Sequence, residues 1–325
     1  MFKIIGTGSY LPEKIMTNFD LEKIVDTTDA WIRDRTGISE RRIADKDETN
    51  SDLAVNAAKK ALEAAGLAPQ DVEILVVGTS TPDYTLPAVA PIIQYKLGCG
   101  NIPAFDINSV CSSFAYALIT AAGFLCSGFY KNCLIIGSDV YSRILNWRDR
   151  TTCCIFGDGA GAVVLSRDAS KRGILSYNYG VKGEDAELIK IHVGGSNNPV
   201  HYEKNYNRED YFFQMNGLNV YEFTIMTVPA VVEDLVQKAG IQKEEVDWVI
   251  LHQANIRIIE SVAKKTEISV NKFIINIQKV GNTSSASIPL ALDEAVRVGK
   301  IKDGDKVIMV GFGGGLSWGG VLIEW

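Results

Sequence analysis

The sequence carries one motif twice at a fixed separation. Ala65-Gly66-Leu67, Asp71-Val72-Glu73 and the apolar run Ile74-Leu75-Val76-Val77 ending at Gly78 return as Ala239-Gly240-Ile241, Glu245-Val246-Asp247 and Trp248-Val249-Ile250-Leu251 ending at His252. The separation is 174 positions from Gly66 to Gly240 and again from Gly78 to His252, so helix end, turn and strand correspond without a gap. A second pair follows. Cys111 opens an apolar helical stretch reaching Gly128, and Asn282 opens one reaching Gly299, 17 positions further on in each case. Each is followed by a buried strand (Leu134-Ile135-Ile136 or Val307-Ile308-Met309-Val310) and a glycine-rich hairpin, Phe156-Gly157-Asp158-Gly159-Ala160-Gly161 or Phe312-Gly313-Gly314-Gly315. Strands alternating with helices predict mainly parallel sheets covered by helices on both faces. Two such layers give an α/β fold stacked αβαβα in two pseudo-symmetric halves, residues 1–168 and 169–325, divided in the polar stretch Ser166 to Arg172. At 325 residues the chain is long enough for both halves and a large core.

From Ile107 to Tyr130 no residue is charged. The stretch from Ile107 to Ser113 is polar and turn-like, and the apolar part from Phe114 to Cys126 is too short to cross a bilayer. The expectation is a helix buried on all sides, with no membrane span. Lys plus Arg number 33 against 39 Asp plus Glu, a net charge of -6, which disfavours a general nucleic-acid-binding surface and leaves room only for a local basic patch. The start Met1-Phe2-Lys3-Ile4-Ile5-Gly6 lacks the basic, apolar and small-residue regions of a signal peptide, so a cytoplasmic protein is expected. Six cysteines without CxxC pairing then read as reduced, mostly small buried residues.

Cys111 stands apart from Cys99, Cys126, Cys133, Cys153 and Cys154 because it opens a helix, where the unpaired backbone N–H groups favour thiolate and lower a thiol's pKa. Of three histidines, His192 and His201 lie in a polar region with Gly194-Gly195-Ser196-Asn197-Asn198 and read as loop residues. His252 ends an apolar strand and precedes the polar turn Gln253-Ala254-Asn255; a core histidine and a site residue both fit that position. Gly281-Asn282-Thr283-Ser284-Ser285 is, in isolation, a cap and turn. With Cys111 and His252, Asn282 completes a Cys/His/Asn set able to form a thioester and then stabilise an anion.

Cys111, His252-Gln253-Ala254-Asn255, Gly281-Asn282-Thr283-Ser284 and Phe312-Gly313-Gly314-Gly315, in this order, closely resemble the β-ketoacyl-[acyl-carrier-protein] synthase III family of the thiolase superfamily. The resemblance runs nearly end to end, through Lys3-Ile4-Ile5-Gly6-Thr7-Gly8-Ser9-Tyr10-Leu11-Pro12 and Trp31-Ile32-Arg33-Asp34-Arg35-Thr36-Gly37-Ile38. It implies a thiolase-like fold and a condensing acyltransferase. An acyl-CoA primer acylates Cys111, CoA leaves, and malonyl-acyl carrier protein loses CO2 to give the carbanion that attacks the thioester. By resemblance, the N–H groups of Cys111 and Gly314 form the oxyanion hole, while His252 and Asn282 hydrogen-bond the malonyl thioester oxygen. Neither a metal nor a nicotinamide cofactor is implied. The resemblance further places Thr27, Trp31, Arg35 and Arg150 at the CoA entrance, Gly217 and Tyr221 along the pantetheine tunnel, Asn255 among the CoA- and substrate-binding residues, and Leu86 and Phe312 at the acyl pocket. It implies a homodimer that pairs the sheets of the first halves. The carrier protein is acidic and needs a basic dock, for which Gln253, Ala254, Asn255, Ile256, Arg257, Lys264 and Lys265 are the candidates. Arg257, Lys264 and Lys265 fall on one helix face by spacing, which also suits a solvated surface.

The chain departs from the family's pattern in places. Ser109-Val110-Cys111-Ser112-Ser113-Phe114 stands where small residues, Ala-Ala-Cys-x-Gly-Phe, are usual, and Glu222 where a basic residue is common. Leu86 replaces a frequent phenylalanine that reaches into the partner subunit's acyl pocket, which suggests a longer or branched primer. Three readings are open: an initiating condensing enzyme of fatty-acid synthesis, a specialised-pathway relative with another primer or acceptor such as malonyl-CoA, and a non-catalytic carrier-protein-binding subunit.

Overall fold

The structure, a computed structural model, describes residues 2–167, 173–200 and 205–325. The expected division between residues 168 and 169, and His201, lie outside the described residues.

Two sheets of matching topology carry the fold. The first has the order Phe2–Tyr10, Asp158–Arg167, Asn132–Val140, Ile74–Gly78, Ala104–Ile107. The second has Ile174–Val181, Ser317–Glu324, Lys306–Gly313, Trp248–Leu251, and a single parallel bridge from Val249 to Phe273 stands where the first sheet has its fifth strand. Each sheet is mixed rather than mainly parallel. Ile74–Gly78 runs parallel to both Asn132–Val140 and Ala104–Ile107, but Asp158–Arg167 and Ser317–Glu324 run back antiparallel. In the second half the chain reverses through the tight glycine turn Gly314–Leu316. In the first half the expected glycine hairpin is not a turn: Asp158 to Gly161 lie within the strand, and the chain reverses through residues 141–157, which carry the short helix Arg150–Cys153.

The strands are apolar on both faces because both faces are covered. Ile74 and Val76 point into a central core with Phe114, Leu118, Ile288 and Leu292, which also takes Ile250, Met309 and Val321 from the second sheet. Leu75 and Val77 point outward against helices Asn50–Ala65 and Val89–Leu97. Val249, Leu251 and Ile308 do the same against helices Gly217–Ala239 and Ile256–Thr266. The result is the expected stack of five layers, with helices Ser113–Cys126 and Ser287–Arg297 in the middle.

The central helices open 174 positions apart, at Ser113 and Ser287, so Cys111 corresponds to Ser285 and not to Asn282. The second helix has 11 residues against 14. That one-turn deficit explains why Cys111–Gly128 and Asn282–Gly299 have equal lengths while their start points are not equivalent. Nor is the first helix buried throughout. Its amino-terminal turns are enclosed, but Gly123, Phe124 and Cys126 are exposed, so the uncharged run ends on the surface, with Phe129 87% exposed. No helix among the described residues is long and apolar enough to cross a membrane.

Candidate active site

The two central helices point their amino-terminal ends at one place, where the halves meet. A Cβ on Gly78, at the end of its strand, would lie 2.8 Å from the Ser113 carbonyl carbon, so glycine is what lets the strand approach the helix start. Cys111 sits in the short turn Val110–Ser112 just ahead of that helix. Val110 has φ of 49° and Ser284, its counterpart in the repeat, 51°. A β-branched residue in this left-handed region is held there by its surroundings, and such strain collects at functional sites.

The Cys111 sulfur accepts a hydrogen bond from the Ser284 hydroxyl at 3.4 Å. Burial pushes its pKa up to about 12, helped by the negative charge of Asp139, while the Ser284 donor pulls the other way. The helix start predicted a lowered thiol pKa; desolvation of the thiolate in this enclosed position outweighs the helix's partial charge. Asp139 is fully buried behind the thiol and binds both halves. Its Oδ1 accepts from the Thr79 and Thr81 hydroxyls at 3.1 and 2.7 Å and the Ser80 amide at 2.9 Å, and its Oδ2 from the Ser285 amide at 3.0 Å.

His252 follows its strand at 2% exposure, its ring packed edge-to-face on Phe312 with centroids 5.1 Å apart. Burial drives its pKa down to about 3, which keeps the imidazole neutral, and its buried Nδ1 has no hydrogen-bond partner among the described residues. Asn282 is buried too; its amide donates to the Ile155 carbonyl at 2.9 Å, and its side-chain Oδ1 accepts from the Ser284 amide at 2.8 Å. Ser284 therefore touches both Asn282 and Cys111. On the other side, a Cβ on Gly313 would meet the Cys111 nitrogen at 2.8 Å and its Cβ at 2.9 Å, so the loop after Phe312 runs directly over the cysteine. Gly314 is buried on this loop against Val110. Ser284 and the Phe312-Gly313 segment thus join the three predicted residues around one point.

The other candidates lie outside this cluster. Arg150 lies over the Trp31 ring at 5.2 Å, Thr27 is beside Cys154, and Arg35 is exposed on helix Asp29–Thr36. Asn255 caps helix Ile256–Thr266 and its Nδ2 donates to the Arg35 carbonyl at 2.9 Å, while Arg257 pairs with Asp34 at 2.9 Å. Ile256 packs against Gly37. Gly217 opens its helix and Tyr221 packs beside the second outer core. Lys264 and Lys265 are exposed on the last turn of helix Ile256–Thr266, Lys265 donating to the Ile225 carbonyl at 2.9 Å, and Ala254 is partly buried.

One expectation changes. Gln253 is fully buried, donating to the Leu251 carbonyl at 2.7 Å and accepting from the Asn276 amide at 3.1 Å, so it braces the loop below the surface and offers no docking contact. Phe312 is buried against the His252 ring, and Leu86 is 85% exposed. Sequence reasoning overlooked Asp139, Tyr141 and Ser284; a charged residue at the end of the apolar strand Cys133–Gly137 was the available signal for the first. Among the described residues no group of three or more His, Cys, Asp or Glu side chains is arranged to hold a metal ion.

Two mixed sheets around paired central helices, with Cys, His and Asn meeting where the halves join, define a thiolase-like condensing acyltransferase. Residues 105–183 match the 3-oxoacyl-[acyl-carrier-protein (ACP)] synthase III family and residues 236–325 its C-terminal part. The chain is 47% identical over 322 residues to beta-ketoacyl-[acyl-carrier-protein] synthase III of Caldanaerobacter subterraneus subsp. tengcongensis, covering 99% of this chain and 97% of that one. It is 45% identical to the enzyme of the same name from Fusobacterium nucleatum, covering 99% and 98%. The crystal structure of 3-oxoacyl-[acyl-carrier-protein] synthase III from Aquifex aeolicus superposes with a TM-score of 0.92 at 44% identity, covering 100% of both chains. The chain belongs to the β-ketoacyl-[acyl-carrier-protein] synthase III family, the initiating condensing enzymes of fatty-acid synthesis.

Proposed function

We propose that Cys111 is the nucleophile, that His252 and Asn282 serve decarboxylation, and that the Cys111 and Gly314 amides bind the oxyanion. The observation that carries this reading is the junction at Ser284, whose side chain contacts the Cys111 sulfur and whose amide contacts Asn282 Oδ1. Cys111 gives its proton to solvent and its sulfur attacks the acyl-CoA carbonyl; the bond from carbonyl carbon to CoA sulfur breaks, and the CoA thiolate leaves and takes a proton from solvent. Malonyl-acyl carrier protein then occupies the site. The carbon–carbon bond to its carboxylate breaks, CO2 leaves, and the electron pair passes to an enolate, whose oxygen is held by His252 and Asn282. A neutral His252 suits that task as a hydrogen-bond donor. The enolate carbon attacks the acyl-enzyme, and Cys111 leaves as thiolate and regains a proton.

Trp31, Arg35, Arg150 and Thr27 form the CoA entrance, with Gly217, Tyr221 and Asn255 toward the pantetheine arm. Arg257, Lys264 and Lys265, with Ala254 and Ile256 beside them, dock the acidic carrier protein. The protein acts in the cytoplasm as a homodimer. Support for the dimer comes from the aromatic cluster near the end of the nucleophile's helix, where Phe105, Phe124 and Tyr130 pack ring to ring beside edge strand Ala104–Ile107. A groove of about 1130 Å³ lined by Tyr116, Ile119, Tyr177 and Tyr179 adjoins it. Leu86 then reaches its pocket across the dimer. The test is mass spectrometry of Cys111→Ala after exposure to acetyl-CoA: the wild type gains an acetyl group and the variant gains none.

A further inference from the structure

Cys111 has an aromatic neighbour that the reading above does not use. Tyr141 follows strand Asn132–Val140 and is 1% exposed. Its hydroxyl lies against the Cys111 sulfur and the Ser284 hydroxyl, and within 3.1 Å of the Ser80 hydroxyl. Its ring stacks on Phe156 with centroids 4.5 Å apart and planes 11° apart, and meets the Phe213 edge at 5.4 Å; Phe156 and Phe213 themselves pack at 5.0 Å. The box is rigid because its walls are tied to the backbone. Phe156 bridges to Asn282, and the Phe213 amide donates to the Ile144 carbonyl at 2.9 Å.

We propose that Tyr141 is a specificity-determining residue that closes the space beside Cys111 and restricts the enzyme to short, unbranched acyl-CoA primers. The inference rests on Cys111 being the acylated nucleophile. An acyl group on the sulfur meets the phenol and the two rings behind it. A filled, close-packed box does not admit extra methylenes without forcing side chains from their rotamers. The phenol adds a second cost, since an alkyl chain that displaces it from Ser80 and Ser284 leaves a buried hydroxyl unpaired. Tyr141 therefore opposes the longer primer that Leu86 alone suggests.

The experiment measures initial rates of acyl-enzyme formation by intact mass with acetyl-, butyryl-, isobutyryl- and hexanoyl-CoA, for wild type, Tyr141→Phe, Tyr141→Leu and Tyr141→Ala. Wild type should acylate with hexanoyl-CoA at least about tenfold more slowly than with acetyl-CoA, the discrimination that pocket size supplies. Tyr141→Ala and Tyr141→Leu should narrow that ratio by about tenfold or more, and Tyr141→Phe should keep the wild-type ranking. Leucine keeps the core filled if alanine prevents folding. Equal wild-type rates for acetyl and hexanoyl, or an unchanged ratio in the folded Leu variant, would overturn the proposal while leaving the nucleophile in place. Acylation at a residue other than Cys111 would overturn the underlying reading instead.

Discussion

A thiol held near pKa 12 by burial is mostly protonated at neutral pH, so in the proposed mechanism Cys111 loses its proton only as a substrate arrives. Alkylation of Cys111 by iodoacetamide should therefore rise about tenfold per pH unit through pH 9 without levelling, because thiolate attacks and its fraction grows that way below the pKa. A plateau below pH 8 would show a lowered pKa. His252 has the opposite displacement. Its pKa falls from 6.5 to about 3 in the folded state, so the unfolded chain binds the proton first as pH drops. The stability this group contributes is present above pH 6.5 and lost toward pH 3, at about 1.4 kcal/mol per pH unit. Asp158 runs the other way: burial raises it to about 6, and its contribution is lost as pH rises through that value. Urea midpoints of wild type and His252→Gln compared at each pH cancel the Asp158 effect, and the variant should lose stability more gently between pH 6 and 4.

Between elements, the proposed oxyanion site depends on the glycine loop that runs over Cys111. Replacing Gly313 by alanine puts a methyl 2.8 Å from the Cys111 nitrogen, which must push the oxyanion donors apart. Acylation should fall by about a hundredfold, comparable to losing one oxyanion donor, while circular dichroism stays native. Full acylation by this variant would remove the loop from the mechanism. The elements themselves were legible in the sequence because the repeat fixed helix, turn and strand together: Gly66 and Gly240 both end helices with left-handed φ, 66° and 67°. The candidates Cys111 and His252 were legible because each lies where such an element starts or ends, whereas Asn282, ahead of the helix that opens at Ser287, was legible through the motif Gly281-Asn282-Thr283-Ser284. Strand direction was not, since an apolar run reads the same either way until the turn before it is known. Tyr141 and Ser284 were hidden for a related reason: a tyrosine after a strand and a serine in a polar turn acquire meaning only when the halves close on each other. The thiol's raised pKa was likewise a property of enclosure, which helix position alone does not report.

At the level of the whole molecule, the duplication separates the proposed site from the proposed dock: Cys111, His252 and Asn282 are buried where the halves meet, and Arg257 lies on the outer helix Ile256–Thr266. Arg257→Glu should raise the KM for malonyl-acyl carrier protein about tenfold and leave acylation by acetyl-CoA unchanged, since a rim charge acts on association. Phe105→Glu should convert a dimer into a 35.5 kDa monomer in sedimentation, because it replaces an aromatic ring of the proposed apolar contact by a charge. A monomeric wild type would contradict the dimer. The division of labour within the site is tested most directly by quenching His252→Ala and Asn282→Ala after mixing with acetyl-CoA and malonyl-acyl carrier protein, and reading the Cys111 peptide by mass spectrometry. The account predicts that both variants accumulate acetyl-Cys111 and form little 3-oxoacyl product, whereas wild type turns the adduct over; variants that lose acylation and condensation equally would contradict it.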